Sequence, residues 1–316
     1  MRNRLIVLAI AAIGVGSAQA GVLNLMDPVG GANLYAIRDV TASSSDVEGA
    51  VVAGGNVTIS SYSINHNNKD AFGADGYALV AGGNLSLQGG SIENGKAYVG
   101  GTTTLTWAAA PPMSAQSPVD FKAAPNYYKG LAGALSGVDP TGAVARLWSG
   151  VRVTGSGHGG VDVFDVSSDL FSNSSSWTLE QLVPGETLVF NVSGTAGTFN
   201  NGGISFEPLS GYNVLFNFYE ATSIDVRGVI GSVLAPYATQ TANWGVVNGN
   251  VIVDTWSSTV QVNANHYFNP VDVAGLTPAA HADKATPAQV PEPGSAALVL
   301  AGLAAAAIGR RKRRQA

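Results

Sequence analysis

The chain lacks cysteine altogether and has few charged residues. Without cysteine it forms no disulfide, offers no thiolate nucleophile and builds no zinc site with cysteine ligands. Charged residues make up 12% of its 316 residues, well below the usual share, which excludes a coiled coil and a charge-rich disordered chain. The apolar residues are scattered rather than gathered in many long runs, which excludes a multispan membrane protein. With 40 glycines, the composition predicts one turn-rich, mostly β domain.

Basic residues are scarce between the two ends of the chain. Seven of the 16 basic residues lie in the two terminal segments, whereas 20 of the 21 acidic residues lie between them. Nucleic acids and anionic lipids are bound by clustered Lys and Arg. The sequence therefore predicts no nucleic-acid partner, and membrane contact only through a C-terminal helix.

The N-terminus has the three parts of a secretory signal peptide. Arg2 and Arg4 precede an apolar run over residues 5–15, and Ala18 and Ala20 supply the small residues that signal peptidase recognises. A run of this length is too short for a transmembrane anchor, which needs roughly 20 residues. We therefore predict a signal peptide over residues 1–20, with signal peptidase as a processing partner.

The C-terminus combines a Pro-Glu-Pro motif, an apolar run and a basic end. Pro291, Glu292 and Pro293 precede an apolar run over residues 295–309, and five basic residues close the chain: Arg310, Arg311, Lys312, Arg313 and Arg314. The cations stop transfer of the helix through the membrane. Residues 290–316 closely resemble the PEP-CTERM sorting signal, which exosortase-type proteases process in Gram-negative bacteria that make extracellular polysaccharide. The resemblance implies that the protease reads the Pro-Glu-Pro motif; a plain anchor helix is the alternative.

Between the ends, one short motif recurs. Val52-Ala53-Gly54-Gly55-Asn56 returns at residues 80–84, more loosely at 98–102, and as an echo at 249–253. Gly-Gly-Asn permits a positive φ at a sharp corner, and the residues that follow alternate between apolar and polar, as in a strand buried on one face. Repeated corner-and-strand units predict a solenoid.

The predicted fold is all-β: a parallel β-helix over residues 21–270. A helix over residues 126–135 is expected, because Tyr127, Leu131 and Leu135 recur at every fourth position. Loop excursions are predicted at residues 107–125 and 165–181, and a flexible linker, rich in Ala and Pro, at 271–289.

Several segments resemble the choice-of-anchor A domain, a bacterial surface-protein module also described as adhesive. They are residues 212–222 and 230–238, Asp46-Val47-Glu48-Gly49 and the two Ala-Gly-Gly-Asn elements. The resemblance implies an exported adhesive or matrix-associated protein, and it assigns no residue a role.

No constellation of catalytic or metal-binding residues is found in the sequence. His66, His158, His266 and His281 lack the spacing of a metal pair. Asp162 and Asp165 are the most suggestive carboxylates, but three positions apart on a strand they point to opposite faces. Asp162 is expected to occupy a polar position of an ordinary alternating strand. We predict no catalytic residue, no cofactor and no metal site.

Two features suggest binding rather than catalysis. Most of the tryptophans are expected to be core residues, with Trp177 and Trp244 the more exposed ones that could stack on sugars. Thr102, Thr104 and Thr106 share one strand face, which could suggest ice binding. The equivalent positions in the other copies are Asn84, Ser86 and Gln88, or Asn56, Thr58 and Ser60, so no regular Thr ladder is expected, and β-propensity accounts for the Thr cluster.

The sequence thus predicts an exported, non-enzymatic protein of the cell surface or extracellular matrix. It would adhere to polysaccharide or to another surface. A polysaccharide-degrading enzyme on a β-helix scaffold is the alternative, and an ice-binding protein is the third reading.

Overall fold

A computed structural model of the chain describes residues 20–66, 76–172, 174–199 and 205–277. The chain divides into two compact units, and every described residue lies in the first, Met1–Ala280. Ala18, the Pro-Glu-Pro motif, the basic C-terminus and most of the predicted linker lie outside the described residues. Within the described ranges, no helix has the length and apolar character needed to cross a membrane.

Strands dominate both halves of the first unit. The first half contains β1 Ala20–Leu23, β2 Leu34–Ala36, β3 Val40–Val47, β4 Val51–Ala53, β5 Val57–Ile64, β6 Tyr77–Ala81, β7 Leu85–Ile92, β8 Lys96–Val99, β9 Thr103–Thr106, β10 Met113–Ser114 and helix α1 Ala123–Ser136. The second half contains β11 Ala143–Leu147, β12 Gly150–Thr154, β13 Val161–Ser167, α2 Asp169–Ser172, β14 Trp177–Glu180, β15 Thr187–Ser193, β16 Ala196–Thr198, a 3₁₀ turn Glu207–Leu209, β17 Asn213–Asn217, β18 Ser223–Asp225, β19 Val229–Ile230, β20 Ser232–Gln240, β21 Val246–Asn248, β22 Val251–Ser257, β23 Gln261–Asn263 and β24 Val271–Ala274.

Most strands belong to one parallel sheet that curls around the core. Its strands stack in three runs. The first run is β13-β15-β17-β20-β22-β2-β4-β6-β8-β10. The second is β16-β18-β20-β22-β3-β5-β7-β9. The third joins β19, β21 and β23 to the second halves of β3, β5 and β7. The mostly β, β-helix-like architecture predicted from the sequence is confirmed.

The chain does not wind from one end of this stack to the other. It enters at β2 in the middle and coils outward to β9 and β10, and α1 then joins this half to the second one. From β13, at the far edge of the first run, it coils back until β22 pairs with β2 and β3. The two halves of the solenoid therefore meet at a seam between strands that are far apart in the sequence, where Leu34 is the register partner of Val251.

The repeats found in the sequence set the register of the first half. Val57 pairs with Leu85, and Leu85 pairs with Thr103, which are the equivalent positions of three successive copies of the motif. Along β5 the buried residues Val57 and Ile59 alternate with Thr58 and Ser60 on the outside. The alternation works because successive side chains of a strand point to opposite faces, so the apolar set fills the core and the hydroxyl set faces solvent.

A second, evenly spaced repeat sets the register of the other half and was not predicted. Phe164 pairs with Phe190, and Phe190 with Phe216. Their rings stack inside the core with centroids 5.0 and 5.1 Å apart. Equal spacing of three phenylalanines was the sequence signal that could have revealed these coils.

Helix α1 packs on the outward face of the first run, and β2, β4 and β6 of this run are buried on both faces. Tyr128, Leu131 and Leu135 pack on the outward side chains Tyr35 and Val52 and their equivalents in neighbouring strands. The helix begins where Asp120 accepts hydrogen bonds from the N–H groups of residues 122 and 123, and it ends at Gly137. The predicted helix over residues 126–135 is thus present, and it starts earlier than predicted, at Ala123.

The first three copies of the motif do not form the predicted corners with positive φ, whereas Gly249 in the echo has a φ of 145°. Gly54 and Gly82 have ordinary φ values, and glycine is required there for another reason. A Cβ on Gly54 would lie 2.2 Å from the Ile37 carbonyl oxygen, and one on Gly82 would lie 2.3 Å from that of Gly54. The motif therefore marks a column where each coil packs against the backbone of the next.

Positive φ values occur instead at the corner between the second and third runs. Ser44, Ser61, Gly89 and Trp107 stand at equivalent points of successive coils, with φ values of 54°, 48°, 67° and 53°. This column turns each coil sharply. All four residues adopt a left-handed backbone, which is sterically unfavourable for the three that carry a side chain.

The predicted loop excursions are shorter than expected. Residues 165–181 were expected to leave the solenoid, but they begin in β13, include α2 and end just after β14. Val271–Ala274, predicted above as part of the linker, form β24, which pairs antiparallel with β1 over Ala20–Leu23. The folded part therefore extends past residue 270, and Ala20, assigned above to the signal peptide, is the first residue of β1.

Candidate binding groove and the family of the chain

The outward face of the second run carries a row of hydroxyl groups. Thr41, Thr58, Ser86 and Thr104 are paired in register on β3, β5, β7 and β9, and Ser257 on β22 precedes them. Four of the five are exposed and Ser86 is half-buried. The register confirms that Thr58, Ser86 and Thr104 are equivalent positions, so the row mixes Ser with Thr.

Beside this row lies an open groove with a volume of about 410 Å³. Ser, Thr, Gln and Asn side chains line it, together with the apolar edges of Ala42, Ile59 and Ala242. No charged side chain is found among the described residues of its lining. We call it the hydroxyl groove: Thr41–Ser43 of β3, Thr58–Ser60 of β5, Ser86 and Gln88 of β7, and residues 242–243 and 257–259.

The Asn residues of the repeat stabilise one edge of this face. The Oδ1 atom of Asp39 accepts a hydrogen bond from the N–H of Asn56 at 2.7 Å. In the next two coils, Asn56 Oδ1 accepts one from the N–H of Asn84 at 2.9 Å, and Asn84 Oδ1 accepts one from the N–H of Thr102 at 2.8 Å. Each side chain therefore satisfies a backbone donor of the next coil. The Gly-Gly-Asn motif is accounted for by this packing and requires no ligand.

Three of the five tryptophans are exposed, contrary to the expectation that most are core residues. Trp107 is 86% exposed, Trp148 90% and Trp244 63%. The exposure predicted for Trp244 is confirmed. The exposure predicted for Trp177 is wrong, because its ring packs on Phe206, with ring centroids 5.4 Å apart, and on two further phenylalanines.

Trp244 is held by a cation. The guanidinium of Arg227 lies 4.2 Å from the centroid of the Trp244 ring, and Arg227 in turn contacts Asp225 at 3.2 Å. The loop that carries Trp244 is tied to the end of β22, where Ser258 and Thr259 donate hydroxyl hydrogen bonds to the carbonyls of Ala242 and Asn243. The loop that carries the indole is thus fixed beside Asn243, which lines the hydroxyl groove.

The two candidate carboxylates have different surroundings. Asp162 was expected at a polar position of an alternating strand, but it is fully buried and accepts hydrogen bonds from the Thr141 hydroxyl at 2.7 Å and the Ser156 N–H at 2.9 Å. Asp165 is exposed on the opposite face. Asp162 therefore anchors loops, and the structure does not bring the pair together.

The three described histidines lie in different parts of the domain. His66 lies 3.4 Å from Asp46 on the third run, and burial raises the pKa of that carboxyl. His266 contacts the carbonyl of Tyr212 at 3.0 Å, and His158 is exposed. His281 lies outside the described residues. No group of three or more metal-ligating side chains is found within the part of the chain that the structure describes.

Residues 26–264 match the family model described as "Putative Ice-binding-like adhesive domain". The chain belongs to this family. The match spans both halves of the solenoid and α1, including every strand of the hydroxyl groove. The choice-of-anchor A name is not that of the matching model, although both descriptions refer to adhesion. No curated protein and no solved structure matches the chain.

A second match covers the C-terminus of this adhesive-domain protein. Residues 289–314 match the model of the PEP-CTERM protein-sorting motif, as predicted from the sequence. Such a motif marks exported cell-surface proteins and implies processing by an exosortase. The roles given to Pro291, Glu292, Pro293, Ala18, Ala20 and the basic cluster remain predictions.

Proposed function

We propose that the protein is an exported, non-enzymatic adhesin of the cell surface or extracellular matrix, and that the hydroxyl groove is its contact surface for polysaccharide. The observation that carries the proposal is the uncharged, hydroxyl-lined groove on a rigid face of stacked strands. Membership of an adhesive-domain family and the sorting motif support it.

The first and last described strands lie on a different part of the sheet from this face. β1 and β24, the first and last described strands, pair with each other. Leu23 and Leu276 pack with α1 in the layer that covers the first run. The described part of the chain therefore begins and ends in the layer over the first run, whereas the hydroxyl groove lies on the second run.

Retention of the full-length protein on polysaccharide from the producing cells tests the proposal. We expect Thr58→Lys to weaken retention at least about tenfold, because it places a long charged side chain in the groove. Ser63→Lys is the matched control, since Ser63 lies on the same strand but faces outward on the third run. Equal retention of both variants and the parent would contradict the proposal.

The two alternative functions, polysaccharide degradation and ice binding, are tested by different measurements. New reducing ends or unsaturated products after incubation with the polysaccharide would show an enzyme. Freezing-point hysteresis would show ice binding, which the family description raises. The mixed Ser, Thr and Gln lining of a concave groove favours a flexible polymer over the flat lattice of ice.

Export and processing form a separate part of the proposal. We expect the chain to begin at Gly21 after removal of the signal peptide and to lose its C-terminal helix at the Pro-Glu-Pro motif. Mass spectrometry of the protein recovered outside the cells checks both ends, and an exported product that retains residues 295–316 would contradict exosortase processing.

A further inference from the structure

Two exposed tryptophans flank the hydroxyl groove: Trp244 is next in the chain to its lining residue Asn243, and Trp107 follows β9, which pairs with the lining strand β7. Trp244 follows β20, and Trp107 follows β9. In the second run these strands are separated by four others, β22, β3, β5 and β7. With neighbouring strands about 4.8 Å apart, the five steps from β20 to β9 span ~24 Å.

Neither tryptophan is placed for packing of the core. Trp107 stands in the left-handed corner column, where the other three coils have only Ser or Gly, and its side chain is almost fully exposed. Trp244 has Arg227 over its ring yet keeps most of its surface in solvent. Large aromatic side chains usually bury their apolar area, so two such exposed rings flanking one groove indicate a ligand surface.

The chemistry between the two rings selects an uncharged, hydroxyl-rich chain. The groove offers the hydroxyls of Thr41, Thr58 and Ser60 and the amide of Gln88 as both donors and acceptors. None of the described lining residues offers an anionic polymer a cation, Arg227 beside Trp244 is already paired with Asp225, and the chain between the two terminal segments is acidic. The C–H faces of pyranose rings are apolar and stack on indoles, whereas their hydroxyls pair with Ser, Thr and Gln.

We propose that the groove binds a single extended chain of a neutral glycan, running across the strands, with one sugar stacked on Trp244 and another on Trp107. A pyranose unit advances an extended glycan by about one strand spacing, so the span corresponds to about five or six sugars. This inference rests on the proposed adhesive function and names its ligand class.

Binding of neutral oligosaccharides of three and six sugars tests the inference. Isothermal titration of the full-length protein uses β-1,4-glucan, β-1,3-glucan and β-1,4-mannan fragments, with a six-sugar alginate fragment as the anionic comparison. We expect one neutral series to bind, and its hexamer to bind at least about tenfold more tightly than its trimer, because only the hexamer reaches both rings.

Single substitutions then separate the two rings from the rest of the surface. Trp244→Ala and Trp107→Ala should each weaken hexamer binding about three- to tenfold, the range expected for loss of one aromatic contact. Trp148→Ala is the matched control, because Trp148 is more exposed than either ring but lies in the turn between β11 and β12. It should leave binding unchanged, and unaltered thermal unfolding of all three variants shows that they fold.

Several outcomes overturn the inference: no neutral hexamer binding at millimolar concentration, equal affinity for trimer and hexamer, tighter binding of alginate, or a loss in Trp148→Ala as large as in the other two. Thr58→Lys distinguishes the two proposals. If it releases the protein from the native polysaccharide while the Trp107 and Trp244 variants stay bound like the parent, adhesion through the groove stands and the two-tryptophan site is wrong.

Discussion

Close approach between neighbouring coils decides which single residues this fold tolerates. At Gly82 a methyl group would meet the Gly54 carbonyl oxygen of the adjacent coil at 2.3 Å, a contact between backbone and Cβ that no rotamer change relieves. The glycines of the Gly-Gly-Asn motif are thus required because the coils stack closely at these positions.

We expect Gly82→Ala to lower the free energy of unfolding by about 2 kcal/mol or more, the range for overpacking a tightly packed site. Gly133→Ala in α1 is the control, because a Cβ there meets nothing within 4 Å and alanine favours a helix. It should raise stability by about 0.5–1 kcal/mol. Denaturant unfolding measures both, and equal effects of the two substitutions would contradict the steric explanation.

A buried carboxyl gives the stability a pH dependence. Glu186 is 4% exposed, and its burial raises the pKa of the carboxyl above the ordinary value, with nearby Asp162 adding to the effect. Because the folded pKa is raised, ionisation destabilises the fold as the pH rises through it. We expect Glu186→Gln to melt at a higher temperature than the parent at pH 7 and at the same temperature at pH 3. A difference that persists unchanged at pH 3 would show another cause.

At the scale of elements, α1 is attached to the sheet by a polar ladder as well as by its apolar face. Asn191 donates from Nδ2 to the Leu135 carbonyl at 2.8 Å, and Asn217 donates to the Ala132 carbonyl at 3.0 Å and to Asn191 Oδ1 at 2.9 Å. Both side chains are buried, so each lost bond leaves a buried polar group unsatisfied.

Asn217→Leu should therefore lower the free energy of unfolding by about 1–3 kcal/mol. Asn126→Leu makes the same chemical change at an exposed position of α1, and we expect an effect within about 0.5 kcal/mol. Chemical denaturation compares the two. A loss in Asn126→Leu as large as in Asn217→Leu would show that the ladder is not responsible.

At the scale of the whole domain, the seam couples the two halves of the solenoid. β2 pairs with β22 on one side and β4 on the other, and β3 also pairs with β22. Without the other half, each half would expose unpaired backbone N–H and C=O groups at the seam, because each supplies the strand that pairs with the other.

We expect a single unfolding transition in which circular dichroism and tryptophan fluorescence coincide. Leu34→Ala truncates a fully buried side chain at the seam and should lower the free energy of unfolding by about 2–5 kcal/mol. The variant should still unfold in a single transition. Calorimetry of the full-length protein checks this. Two resolved transitions would show that the halves fold independently.

The sequence by itself determined the class of fold, the register of the first coils and the sorting signal at the C-terminus. Alternation of apolar and polar residues dictates which face of a strand is buried, and the spacing of the Gly-Gly-Asn copies dictates which strands pair. The sorting motif matches its family model as a linear pattern of residues, so it needs no fold to be recognised in the sequence. The approximate place of α1 also follows from local spacing.

Only the tertiary structure decided how the coils are ordered and what their outer faces do. Pairing of β22 with β2 joins segments far apart in sequence, and local periodicity contains no information about such a contact. The reason for Gly82, the burial of Asp162, the packing of Trp177 and the exposure of Trp107 all depend on the neighbouring coil. The hydroxyl groove exists for the same reason: its walls come from both halves of the solenoid, which stacking brings onto one face.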